Sequence, residues 1–190
     1  YNGGGSVLSC GYLASMIYGE GTGQDIFAKT RYNSKHQNRG YNLPFLSGIR
    51  QYDAQGNYLP GQDISLNRLT GISKIYVITS SRTASASEMI INGLRPYIEV
   101  VTVGKKTYGK NVGSITLYDA PASDYTDKSA ANNSHKMAMQ PITFQIFNKL
   151  DQSDYTQGFV PTIDLNEFAS WNNFLAFGDE NEVLLKAVLD

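Results

Sequence analysis

The chain has 190 residues, of which 41% are hydrophobic and 17% charged, with a net charge of −1 at neutral pH. That length suits one domain with a substantial core, and the balanced charge excludes a global electrostatic pull toward nucleic acid or an acidic membrane. Cys10 is the only cysteine, which excludes an internal disulfide and a cysteine metal site.

In chain order, residues 6–18 read as a helix, with Leu8, Tyr12 and Met16 at helical spacing and Leu13 and Ile17 beside them. A triple glycine precedes it, so its free N–H groups face a loop. Residues 19–72 are the least regular stretch and are punctuated by glycine and proline. Within them residues 25–32 alternate as a strand, and Gln55-Gly56-Asn57 suits the turn of an edge hairpin. Residues 73–79 form a continuous apolar run of strand length, the pattern of a parallel strand buried on both faces. Residues 85–96 read as a helix, with Ala86, Ile90 and Leu94 in one stripe and Pro96 near its end. Residues 99–103 read as a second buried strand, completing a strand–helix–strand crossover. Residues 112–118 and 136–147 read as further strands, and the polar residues 120–134 between them as a loop. Residues 180–189 close the chain as an amphipathic helix with Val183, Leu184, Ala187 and Val188 inward. No run of 18 apolar residues is present, so nothing in the chain reads as a membrane span.

Two short segments carry chemistry. Ser85 stands where a strand gives way to a helix, and Lys110 follows in a glycine turn. A serine nucleophile with a lysine general base is a known variant of the serine–histidine–aspartate arrangement. Ser85 and Glu88 also satisfy the capping-box spacing, which explains both residues without catalysis. Against that stands position: backbone N–H groups and the helix dipole at an N-terminus favour developing negative charge. A catalytic lysine must be neutral when it accepts the serine proton, which requires its pKa to fall from about 10.4 by burial. Residues 104–111 nearly fit a phosphate-binding loop. Asn111 stands where Ser or Thr would hold Mg²⁺, however, and a strand follows where that loop requires a helix. His36 and His135 sit in polar surroundings and read as surface residues. No metal-ligand spacing appears, and nucleic-acid binding has no specific support.

Thr-Ala-Ser-Ala-Ser-Glu at 83–88, with Thr-Tyr-Gly-Lys at 107–110, resembles the carboxy-terminal processing (tail-specific) serine peptidases, family S41. Tyr1-Asn2-Gly3-Gly4-Gly5 is similar to that family's Arg-x-Asn-x-Gly-Gly loop. Gly158-Phe159-Val160-Pro161 and Gly178-Asp179, followed by a leucine-rich tail, look like its C-terminal end. The resemblance implies an α/β fold of the ClpP/crotonase type, a mainly parallel sheet with crossover helices. It implies a serine endopeptidase that needs no metal or cofactor, with Ser85 as nucleophile and Lys110 as base. The oxyanion would be held by the Ala86 N–H and by that of Gly4 or Gly5. The family places a glutamine four residues after the lysine. Here that position is Ser114, a possible third member of the site. The resemblance further implies polypeptide substrates, unfolded or C-terminal segments, and action outside the cytoplasm. The family's glycine loop follows a buried strand, so residues 1–190 read as the C-terminal catalytic part of a longer protein. No PDZ-like segment is evident. The alternative is a peptide-binding module that keeps the fold without the chemistry.

Overall fold

The computed structural model describes residues 2–169, 171 and 174–190. The elements in chain order are α1 (Val7–Ile17), β1 (Ile26–Tyr32), β2 (Asn42–Pro44), β3 (Gly48–Ile49), β4 (Ile64–Ser65), β5 (Lys74–Thr79), α2 (Ala86–Leu94), β6 (Glu99–Gly104), β7 (Val112–Ser114), β8 (Leu117–Tyr118), β9 (Ala138–Met139), β10 (Ile142–Phe147), β11 (Ile163–Asp164) and α3 (Val183–Leu189). Two sheets dominate. One has strand order β11-β6-β5 and is parallel. The other has strand order β2-β1-β10-β7 and is antiparallel. Short hairpins β3-β4 and β8-β9 stand apart. The α/β class is therefore observed, but "mainly parallel" is corrected. Parallel pairing is confined to the sheet served by the α2 crossover, and the longer polar connections bring the remaining strands back antiparallel.

α2 lies between the two sheets, which explains its sequence. Met89, Ile91 and Leu94 are buried, and so are the polar Glu88 and Asn92. Gly93 lets it approach β1, because a Cβ there would overlap the buried ring of Phe27. Phe27, Phe45, Tyr18 and Tyr97 form an aromatic group beside it, with ring centroids 5.0–5.6 Å apart. Tyr97 directs its hydroxyl to the Ile26 carbonyl at 2.7 Å. Burial of each such ring contributes about 1.5–3 kcal/mol. The polar end of the layer is tied by Asn148, whose amide donates to Asn92 and Gln152.

The large apolar residues at helical spacing do not mark the most buried face of α1. Leu8 is 50% exposed and Leu13 and Met16 are also exposed, while Cys10, Gly11, Ala14 and Ser15 are buried. Close approach decides this: a Cβ at Gly11 would already lie 3.0 Å from Leu43 Cδ2. Small residues therefore hold the most buried face, with Val7 and Ile17 packed beside it and Leu8, Leu13 and Met16 left outside. The predicted two-sided burial of β5 is corrected as well. Along β6, Val100 packs toward α2, whereas Val101 and Val103 pack against Leu184 of α3, so the two helices cover opposite faces. Tyr76 and Ile78 pair with Val101 and Val103 on the α3 face, yet remain 44% and 47% exposed. The seven-residue α3 therefore covers β5 only in part. The predicted strands at 112–118 and 136–147 are each split in two, the second at Gln140-Pro141. An isolated antiparallel bridge, Tyr52 with Tyr58, marks the expected turn at 55–57.

Candidate active site

Past the end of β5, the Thr83 hydroxyl accepts from the Ser80 N–H at 3.0 Å and fixes a tight turn. The chain then reaches Ser85 at φ 59°, ψ −122°. For a residue with a side chain that conformation costs about 1–3 kcal/mol and persists only when its surroundings enforce it. A serine on a strained turn between a strand and a helix has the geometry of a nucleophile elbow. Ser85 is half-buried.

The glycine loop lies against this turn, although Tyr1 falls outside the described residues. A Cβ at Gly4, where φ is 101°, would lie 2.7 Å from both the Ala84 carbonyl oxygen and Ser85 Cβ, and 2.8 Å from the Ala86 nitrogen. Only glycine permits that approach. The Gly4 N–H donates to Asn2 Oδ1 at 2.9 Å. Among the described residues, the N–H groups of Gly5 and Ala86 have no protein acceptor, as expected for the first turn of a helix in the case of Ala86. A groove of about 160 Å³ opens beside them, lined by Gly4, Gly5, Cys10, Leu13, Ala86 and Ile90. Ser85 lines neither this groove nor the larger hollows of about 580 Å³ that lie elsewhere.

The lysine loop, 107–110, is gripped from two sides. Tyr108 N–H donates to the Thr83 carbonyl at 2.9 Å. On the other side Thr107 exchanges bonds with Phe159: its N–H donates to the Phe159 carbonyl at 3.1 Å, and its hydroxyl accepts the Phe159 N–H at 2.7 Å. Gly109 and Gly158 both have positive φ, and their backbones press so closely on this contact that a Cβ at either would overlap a carbonyl. The 158–161 motif thus supports the lysine loop from below. Beyond it, the buried Asn111 donates to the Ser153 carbonyl at 2.6 Å, and the chain enters β7. A strand follows the loop, so a phosphate-binding loop, which requires a helix there, is excluded.

Glu88 joins the two halves. Its side chain is 0% exposed. Oε2 accepts the Ser85 N–H at 2.9 Å and the Lys110 N–H at 2.8 Å. Oε1 accepts the Thr107 hydroxyl at 2.6 Å and the Gly109 N–H at 2.7 Å. The backbone nitrogens of Ser85 and Lys110 share one oxygen atom, so they lie within two hydrogen-bond lengths of each other. Sequence spacing identifies Glu88 only as a cap; its bonds to the lysine loop are long-range. The available signal is that Glu88 and Asn92, four residues apart on one face, are polar residues in a largely apolar helix.

Lys110 is half-buried, and no hydrogen bond joins its side chain to that of Ser85 among the described residues. Ser114 lies half-buried on β7 opposite Ile142, and its side chain makes no hydrogen bond to Lys110 among the described residues. Beneath the elbow the Cys10 thiol donates to the Ala86 carbonyl at 3.2 Å, and burial pushes its pKa up to about 12. Burial, and then the nearby charge of Glu88, raise the pKa of the Tyr155 phenol. His135 pairs at 3.3 Å with Asp119 in the polar 119–135 region, and His36 is exposed. Among the described residues, no cluster of three His, Cys, Asp or Glu is placed to hold a metal, and no helix is long and apolar enough to cross a membrane.

The profile of peptidase family S41 matches residues 1–140. No match was found among curated proteins. A solved structure described as an S41 protease from Bacteroides fragilis NCTC 9343 is similar over 100% of this chain and 42% of its own, with 29% identity and a TM-score of 0.74. A lipoprotein from Streptococcus agalactiae shares the fold over 86% of this chain and 47% of its own, with 17% identity and a TM-score of 0.54. The chain therefore spans less than half the length of these solved proteins.

Proposed function

The chain belongs to peptidase family S41, and on that premise we propose that it is a serine endopeptidase of the carboxy-terminal processing type, built on a ClpP/crotonase-like fold. Ser85 attacks the peptide carbonyl, and Lys110 takes the hydroxyl proton and returns it to the leaving amine. The Ala86 and Gly5 N–H groups hold the oxyanion, with Gly4 providing the close approach. Ser114 orients the lysine. The observation that carries this reading is the strained Ser85 turn beside two unpartnered N–H groups, with the lysine loop bonded to the same Glu88 oxygen. Substrates are polypeptides, and we assign unfolded or C-terminal segments to it outside the cytoplasm. The proposal concerns the whole catalytic protein, since the solved relative is longer than residues 1–190.

The missing side-chain bond between Ser85 and Lys110 favours one second reading, an inactive peptide-binding module. Peptide hydrolysis separates the two. Ser85→Ala and Lys110→Ala should each lower kcat by about 10⁴–10⁶-fold, with thermal melts unchanged. Hydrolysis that survives Ser85→Ala removes the serine mechanism. Peptide binding with no hydrolysis by the unaltered chain supports the module.

A further inference from the structure

We infer that Glu88 is the positioning residue that holds the serine turn and the lysine loop in register, acting through Ser85 and Lys110 without touching the peptide; this rests on the proposed roles of those two residues. A helix cap alone does not account for Glu88. A capping glutamate needs only the N-cap N–H, and an exposed one makes that bond without leaving water. Here the carboxylate is fully buried, and among the described residues no Lys, Arg or His pairs with it. Burial of an unpaired carboxylate is costly unless hydrogen bonds satisfy it. A carboxylate has about four lone-pair sites, and Glu88 fills all four. One donor comes from the serine turn, and three come from the lysine loop.

This full occupancy also decides against a direct chemical role. No lone pair is left to accept the Ser85 hydroxyl proton, so Glu88 is not a base for that serine. Charge-assisted bonds are short and directional, and two of these donors are the residues immediately before and at Lys110. Thr107 extends the arrangement. Its hydroxyl donates to Glu88 and accepts from the Phe159 N–H, so one side chain anchors the loop to both α2 and the 156–159 turn.

The test uses the 190-residue chain with Glu88→Gln and Thr107→Val. Glutamine keeps the shape but aims an amide donor at two of the four donors. Valine removes only the Thr107 hydroxyl and leaves the bond to Ser85 intact. Two readouts are taken: peptide kcat and KM, and the ¹H–¹⁵N resonances of Ser85, Gly109 and Lys110. Glu88→Gln should move all three amides together and lower kcat by about 10²-fold, the scale of a small misplacement, with KM little changed. Thr107→Val should move Gly109 and Lys110, leave Ser85 in place, and lower kcat less. Wild-type kcat in a folded Glu88→Gln, or movement of Ser85 alone, overturns the proposal. If Glu88→Gln does not fold, unchanged Gly109 and Lys110 amides and unchanged kcat in Thr107→Val overturn it. Absence of hydrolysis by the unaltered chain counts against the peptidase reading only; the amide resonances still decide the role of Glu88.

Discussion

Gly4 shows how one missing side chain shapes the site. Its α-carbon lies directly against the Ala84–Ala86 backbone, where an added Cβ would lie 2.7 Å from an oxygen and 2.8 Å from a nitrogen. Both are main-chain atoms and cannot swing aside. Gly4→Ala should therefore push the loop off the serine turn and withdraw the Gly5 N–H. Loss of one oxyanion donor costs about 10²–10³-fold in kcat, and that is the expected fall, read from initial rates on a peptide. The loop edge is otherwise exposed, so the melting temperature should change little. An unaltered kcat would remove the glycine loop from the oxyanion site. The proposed site residues Ser85, Lys110, Ala86 and the glycines belong to short local motifs, which is why the sequence alone suggests them. The proposed preference for Gly5 over Gly4 was not readable there, since it rests on the Asn2 side chain taking the Gly4 N–H.

At the scale of elements, α2 sets the tightest constraint. Gly93 sits mid-helix, where alanine would normally gain about 1 kcal/mol from propensity. The added methyl would overlap the Phe27 ring, which is fully buried and has no free space to turn into. Overpacking of that kind costs about 1–3 kcal/mol, so the clash wins. Gly93→Ala should lower the urea midpoint, and a raised midpoint would show that β1 yields more easily than its packing suggests. Helix and strand positions were readable from periodicity for β1, β5, α2, β6 and α3. Which face they bury was less readable. In α1 the helical spacing pointed to Leu8, Tyr12 and Met16, but close approach to α2 and to Leu43 of β2 selected the small Cys10, Gly11 and Ala14. In β5 an apolar run indicated two buried faces, and only the neighbouring layers reveal that one is half-open.

For the whole molecule, alkaline pH offers a test of how firmly the core is closed. Burial pushes Cys10 from 9.0 up to about 12. Burial first, then Asp25 and Tyr18, push Tyr97 from 10.0 up to about 12. Both groups lose charge-neutral packing when they ionise. The unfolded chain releases these protons from about pH 9 upward, whereas the folded chain keeps them to about pH 12. Across that window the unfolded state binds fewer protons, so stability falls as pH rises. The contribution is complete below pH 9. Urea midpoints measured between pH 9 and 11 should decline, and Cys10→Ala should make the decline shallower. An unchanged slope would mean that the thiol is not sealed beneath the Ser85 turn. The two-sheet plan itself was hidden from sequence, because pairing of β1 with β10 joins residues far apart along the chain.

The bond between Thr107 and Phe159 also has a consequence in time. A ribosome delivers Ser85 and Lys110 well before it delivers the 156–159 turn. Until that turn emerges, the lysine loop lacks one of its two grips, and Gly109 has no surface to press against. A nascent chain would thus hold the serine turn and the lysine loop through the Glu88 and Thr83 contacts alone, and the loop would be secured on its second side only once the C-terminal part of the domain exists.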